Sequence, residues 1–97
     1  MNTITLFGET FKVQRSSEQY AQNCSQPILD IFTEAGMPSG RITICIPGIH
    51  LEAGETIVRQ EYAELIEDLV KAQIVQYSGR YARSGFAVYP IVKLVQA

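Results

Sequence analysis

The sequence predicts an α+β protein: a single domain over residues 1–97, mainly antiparallel sheet with two to three helices, in the order ββ-α(α)-β-α-ββ. Three observations carry that prediction. Residues 3–14 alternate around a glycine as a hairpin does, residues 57–73 repeat apolar side chains at helical spacing, and residues 74–95 return to extended patterning. A length of 97 residues suits one domain. With 46% hydrophobic against 19% charged residues, the chain has enough apolar surface for a core without metal or disulfide staples.

In the first hairpin, Gly8-Glu9 offers a two-residue turn with glycine first, as a type II′ turn requires. Pairing Phe7 with Thr10 sets Leu6 opposite Phe11 and Ile4 opposite Val13, with Thr5 and Lys12 on the other face. A one-residue slip would scatter the apolar set, so the register is expected to be well specified. Ser16 or Ser17 can cap a helix beginning near Glu18, which Pro27 interrupts. Ser25 then caps a second helix with Ile28, Leu29, Ile31 and Phe32 on its apolar side, ending at Gly36 with Pro38 just beyond. One kinked helix fits equally well.

Residues 41–47 alternate, with Ile42, Ile44 and Ile46 on one face, and read as a strand ended by Pro47-Gly48. Thr56 caps the best-patterned helix, residues 57–73, whose buried stripe is Val58, Tyr62, Leu65, Ile66 and Leu69. Glu61, Glu64, Glu67 and Asp68 take its opposite side, and Lys71 lies four residues after Glu67. Residues 74–77 and 86–95 read as the last two strands. A basic, glycine-flanked connection over residues 78–85 joins them, and Pro90 implies a bulge or an unpaired edge.

The chemistry-bearing residues are sparse. His50 is the sole histidine, and Cys24, Cys45 and His50 have no zinc-site spacing. No GxGxxG, P-loop or GxSxG occurs. Cys45 and His50 form the one conceivable thiolate–imidazole pair, but a cysteine inside a strand is expected to be a buried, inert thiol. The expectation is therefore a non-enzyme with no catalytic residue, metal or cofactor. The opening Met1-Asn2-Thr3-Ile4 lacks the basic and apolar regions of a signal peptide, so a cytoplasmic location and reduced cysteines are expected. No apolar run approaches the ~18 residues that span a bilayer, so no membrane partner is expected.

The net charge of −2 conceals an uneven distribution. Residues 52–68 hold six carboxylates (Glu52, Glu55, Glu61, Glu64, Glu67 and Asp68) against Arg59, a local charge of −5. From residue 69 onward there are four cations (Lys71, Arg80, Arg83 and Lys93) and no acid. Such a division can steer a charged partner, or it can be an ordinary solvated surface. The six carboxylates are the candidate partner-binding residues. Carboxylates along a rigid helix can stand in for phosphates and occupy a basic cleft built for DNA.

Two family resemblances bear on this. Residues 65–77 followed by Arg80 and Arg83 resemble the last helix and wing of a winged-helix domain, which would imply a DNA-binding regulator. Glu61, Glu64 and Glu67 on the recognition helix, and a strand where the preceding helix belongs, depart from that pattern. The whole chain, compact and with an exposed acidic cluster over residues 52–68, resembles the small single-domain anti-CRISPR proteins of phages and prophages, the type I-F inhibitors among them. That resemblance implies an inhibitor that binds an RNA-guided CRISPR-Cas surveillance complex in the host cell, by DNA mimicry through its acidic face. The partner would be a host protein or nucleoprotein complex with a basic DNA-binding cleft, with no nucleic acid bound directly. A generic protein–protein interaction module that dimerises through an edge strand is the plainer alternative.

Overall fold

In the computed structural model, which describes residues 2–6, 8–16 and 26–95, eight strands form two four-stranded antiparallel sheets. The first sheet runs β1 (Asn2–Leu6), β2 (Glu9–Arg15), β3 (Leu29–Thr33), β4 (Pro38–Arg41), each beside the next. The second holds β5 (Thr43–Ile44), β6 (Glu55–Val58), β7 (Val75–Ser84) and β8 (Ala87–Leu94) in the order β5-β6-β8-β7. Between β6 and β7 lies a helical stretch: a 3₁₀ segment, Gln60–Leu65, continues as α1, Ile66–Lys71.

The expected two to three helices are thus corrected to one among the described residues, and the protein is mostly antiparallel sheet. The helix expected near Glu18 falls on residues outside those described. The one expected after Ser25 is strand β3 instead. Leu29 and Ile31 are buried while Asp30 and Phe32, which alternate with them, are only partly so, which is the period of a strand. A short run of alternating and adjacent apolar residues satisfies both periods, and tertiary pairing decides between them. Here β2 supplies the pairing, from Phe11↔Thr33 to Arg15↔Leu29. Gly36 does adopt positive φ (91°), but in the hairpin turn between β3 and β4, where its N–H donates to the Thr33 carbonyl at 2.9 Å.

The helix expected over residues 57–73 begins later. Residues Glu55–Val58 are a fully buried strand, and Thr56 is no N-cap. Its hydroxyl donates to the Pro27 carbonyl and accepts from the Gln26 side-chain amide, each at 2.8 Å. That amide also reaches the Ile44 carbonyl at 2.9 Å. A four-residue buried strand flush against a helix stripe is too short to show a period of its own, so the two merge in the sequence. From Leu65 onward the expected stripe holds, with Leu65, Ile66 and Leu69 buried.

The first hairpin keeps its faces but shifts its register by two residues. Ile4 pairs with Phe11 and Asn2 with Val13, where Leu6↔Phe11 and Ile4↔Val13 were expected. Glu9 pairs with Leu6, so it lies in the strand and not in the Gly8-Glu9 turn that was expected. A slip of two preserves parity, so Ile4 and Val13 both still reach the core.

The expected strand over residues 41–47 is split where the chain passes between sheets. Ile42, fully buried, donates its N–H to the Leu29 carbonyl of the first sheet and accepts the Arg59 N–H just past β6, both at 2.9 Å. The main core fills the space so enclosed. Ile4, Val13, Leu29 and Ile31 from the first sheet meet Val58, Val75, Val92 and Leu94 from the second, and Leu65, Ile66 and Leu69 join them. A smaller cluster, Ile57, Ala82 and Ile91, lies on the other face of the second sheet under Ile44, Ile46, Ile49 and Leu51.

Cys45 is disulfide-bonded and partly buried, not the reduced thiol expected. Cys24, the only other cysteine in the sequence, lies outside the described residues. No helix among the described residues is long and apolar enough to cross a membrane.

Candidate interaction surface

The six candidate carboxylates form one run in sequence and two groups in space. Alternation along β6 sends Thr56 and Val58 toward the main core, and Glu55 and Ile57 to the opposite face. Glu55 is buried there. Its carboxylate accepts from Arg80 Nη1 at 2.7 Å and from the Glu52 backbone N–H at 2.8 Å. Glu52 is exposed but belongs to this group, across the sheet from the helix. The pairing depends on a residue 25 positions away, which no local pattern reveals.

Glu61, Glu64, Glu67 and Asp68 form the second group, on the helical stretch. The three glutamates are exposed and Asp68 is partly so. Glu61 lies 3.6 Å from Arg59 and Glu67 lies 3.4 Å from Lys71, both pairs on open surface where such contacts contribute little.

The basic connection is not a loop. Arg80 and Arg83 lie inside β7, which with β8 makes a long hairpin turning at Gly85-Phe86. Ser78 and Gly79 are extra residues between the pairs Tyr77↔Val92 and Arg80↔Ile91, a bulge one step from Pro90. The Ser78 hydroxyl ties the bulge down by donating to the Ile91 carbonyl. The two arginines point to opposite faces. Arg80 turns to Glu55, and its Nη2 also donates to the His50 carbonyl at 2.7 Å. Arg83, opposite Val88, shares its face with Tyr81 and Pro90.

That face is what sequence reasoning missed. Tyr77, Tyr81 (68% exposed), Phe86 and Val88 are large apolar side chains in solvent, all on the one hairpin. The hairpin outruns the helix and first sheet that cover its base, so the row that starts with buried Val92 and Leu94 ends uncovered. An open cleft of about 440 Å³ lies between helix and hairpin. Glu64 and Glu67 form one wall; Tyr77, Tyr81, Val88 and Pro90 form the other. Carboxylates facing tyrosine rings suit a cationic side chain. Four aromatics within residues 77–89 were the available signal. With Cys45 in a disulfide, the Cys45–His50 thiolate pair does not exist. Among the described residues, no three His, Cys, Asp or Glu are grouped to hold a metal ion.

The fold defines a small, two-sheet antiparallel β protein with one helical stretch beside an exposed hairpin. The chain belongs to the family described as Domain of unknown function (DUF4313), whose model matches residues 12–96. No curated protein and no solved structure matches it significantly.

Proposed function

We propose that this protein is a non-enzymatic binding protein that engages lysine and arginine side chains of a protein partner through Glu61, Glu64, Glu67 and Asp68. The observation that carries the reading is how the helical stretch is seated. Leu65, Ile66 and Leu69 anchor it in the main core while Glu61, Glu64 and Glu67 stay exposed. Carboxylates on a backbone already fixed require little further ordering on binding.

A basic cleft that handles nucleic acid has the matching chemistry. An inhibitor seated in the DNA-binding cleft of an RNA-guided surveillance complex is the specific form of this reading. Glu52 and Glu55 drop out of the footprint, because they lie across the sheet and Glu55 is neutralised by Arg80. Four carboxylates on one short helical stretch fit a single basic pocket better than a duplex-length track of phosphates. Nucleic acid itself is not the ligand on this reading, since like charge repels phosphate. The winged-helix reading is the weaker one: the described residues hold one helical stretch, and Arg80 is engaged with Glu55. This specific form requires a cytoplasmic protein, in which the disulfide at Cys45 would have to withstand a reducing thiol pool.

The test is the triple reversal Glu61→Lys/Glu64→Lys/Asp68→Lys. The tagged parent is expected to capture a basic, nucleic-acid-handling complex from lysate of its source cells, less so as salt rises. The variant should bind that complex on the order of tenfold more weakly, about 1.4 kcal/mol. Equal binding by parent and variant, or tight binding of duplex DNA by the parent, would overturn the proposal.

A further inference from the structure

The longest of the described strands is also an edge among them. β7 spans ten residues and, among the described residues, pairs only with β8. Antiparallel pairs alternate between those that exchange backbone hydrogen bonds and those whose N–H and C=O point away. Pro90 has no N–H to give β7, and Val88, two residues earlier, uses its carbonyl to accept from Gln60 Nε2 at 3.1 Å. Both turn away from β7. Their opposite numbers, Tyr81 and Arg83, accordingly direct their own N–H and C=O outward along the free edge.

Soluble proteins protect such edges with charge, proline or irregularity. The Ser78–Gly79 bulge protects the base of β7, but Arg80 to Ser84 pairs without interruption, and its flank is the exposed aromatic face. We propose that a second copy of this chain pairs along this edge, antiparallel, about a two-fold axis at Ala82. That register sets Tyr81 opposite Arg83 of the second copy, and Arg83 opposite its Tyr81, so each outward-facing pair exchanges both backbone bonds. Centring on Arg83 would oppose two cations, and centring on Tyr81 would run Arg83 into the bulge at Gly79.

Side chains favour the same register. Directly opposed residues share a face, so the incoming guanidinium lies against the Tyr81 ring. It also meets the mouth of the cleft whose far wall is Glu64 and Glu67. Arg80 also lines that cleft, but its guanidinium is paired with Glu55, which offsets its repulsion of the incoming cation. Phe86 comes level with the bulge, beside Tyr77 of the second copy. The interface is isologous, with every contact made twice.

This inference does not depend on a heterologous partner. Glu61 and Asp68 lie outside the cleft, so the double reversal Glu61→Lys/Asp68→Lys, which omits Glu64, probes the earlier reading without touching the dimer. The experiment is light scattering coupled to gel filtration on the full chain across a concentration series. A monomer–dimer equilibrium is expected. Arg83→Glu should weaken it on the order of a hundredfold, since each contact is lost twice. Adding Glu64→Lys/Glu67→Lys to that variant should restore most of the association. Tyr81→Pro, which removes an outward N–H without disturbing the pairing with Pro90, should abolish it. A parent that is monomeric throughout, or a dimer that neither Arg83→Glu nor Tyr81→Pro weakens, overturns the proposal. If Tyr81→Pro does not fold, the Arg83→Glu variant and its charge-swapped rescue decide.

Discussion

Arg80 and Glu55 form an ion pair at 2.7 Å that joins the middle of β7 to the start of β6, with the Glu55 side chain 5% exposed and that of Arg80 40%. The same guanidinium holds the His50 carbonyl, and the same carboxylate holds the Glu52 N–H. One side chain from the basic segment and one from the acidic segment are thus spent on each other. They brace residues 49–54, just before β6, over the smaller apolar cluster.

Removing Arg80 leaves a buried carboxylate without its cation. Arg80→Ala should destabilise the protein by roughly 2–3 kcal/mol, below the range for fully buried pairs because Arg80 is partly solvated. Glu55→Gln/Arg80→Gln should cost less than the two single changes added together. Urea denaturation of the four proteins measures the coupling; strict additivity would mean the pair does not act as a unit.

Thr56 separates a strand from a helix cap. At an N-cap, Asp replaces Thr without loss. In the buried network with Gln26 and Pro27, Thr56→Asp puts a charge in the interior, and Thr56→Val strands the partner groups, at about 1–3 kcal/mol for each unmet group. Both variants should melt well below the parent, with Thr56→Ser much closer to it. A neutral or stabilising Thr56→Asp would restore the helix start that the sequence suggests.

Gly40 makes room for Tyr62. A Cβ at Gly40 would collide with the Tyr62 hydroxyl, while the ring carbon bearing it would remain at an ordinary 3.5 Å. Gly40→Ala should therefore cost about 1–3 kcal/mol. Gly40→Ala/Tyr62→Phe should recover much of that loss, which thermal melts of the single and double variants can read directly.

The exposed carboxylates should carry almost no stability. Glu61→Lys and Glu64→Lys are each expected to stay within about 0.5 kcal/mol of the parent. Glu67→Gln, which removes the open pair with Lys71, should do the same. A large loss in any of them would mean that the acidic surface is structural.

How much of this was legible in the sequence follows from the range of the forces involved. The faces of the first hairpin could be read because parity survives a two-residue slip, whereas its register turned on whether Glu9 belongs to the turn or to the strand. Leu65, Ile66 and Leu69 could be read because their spacing permits only a helix there. Ile28 to Phe32 could not, since the choice of strand came from β2, at least fourteen residues away in every pair. The acidic side of the helix was visible for the same reason as its apolar side. The loss of Glu55 from that group, and the uncovered Tyr77–Tyr81 face, depend on where β7 ends up relative to β6 and the helix. Those are products of the assembled sheet, and local sequence does not encode them.

Ile42 gives its N–H to one sheet and its carbonyl to the edge of the other, and no solvent reaches its side chain. If either sheet came apart alone, a backbone group of this residue would lose its partner inside an otherwise closed interior. Partial opening is therefore penalised at a point that both halves of the protein share. Native-state exchange should find the amides of Ile42 and Arg59 released together, at the free energy of global unfolding rather than through separate local events.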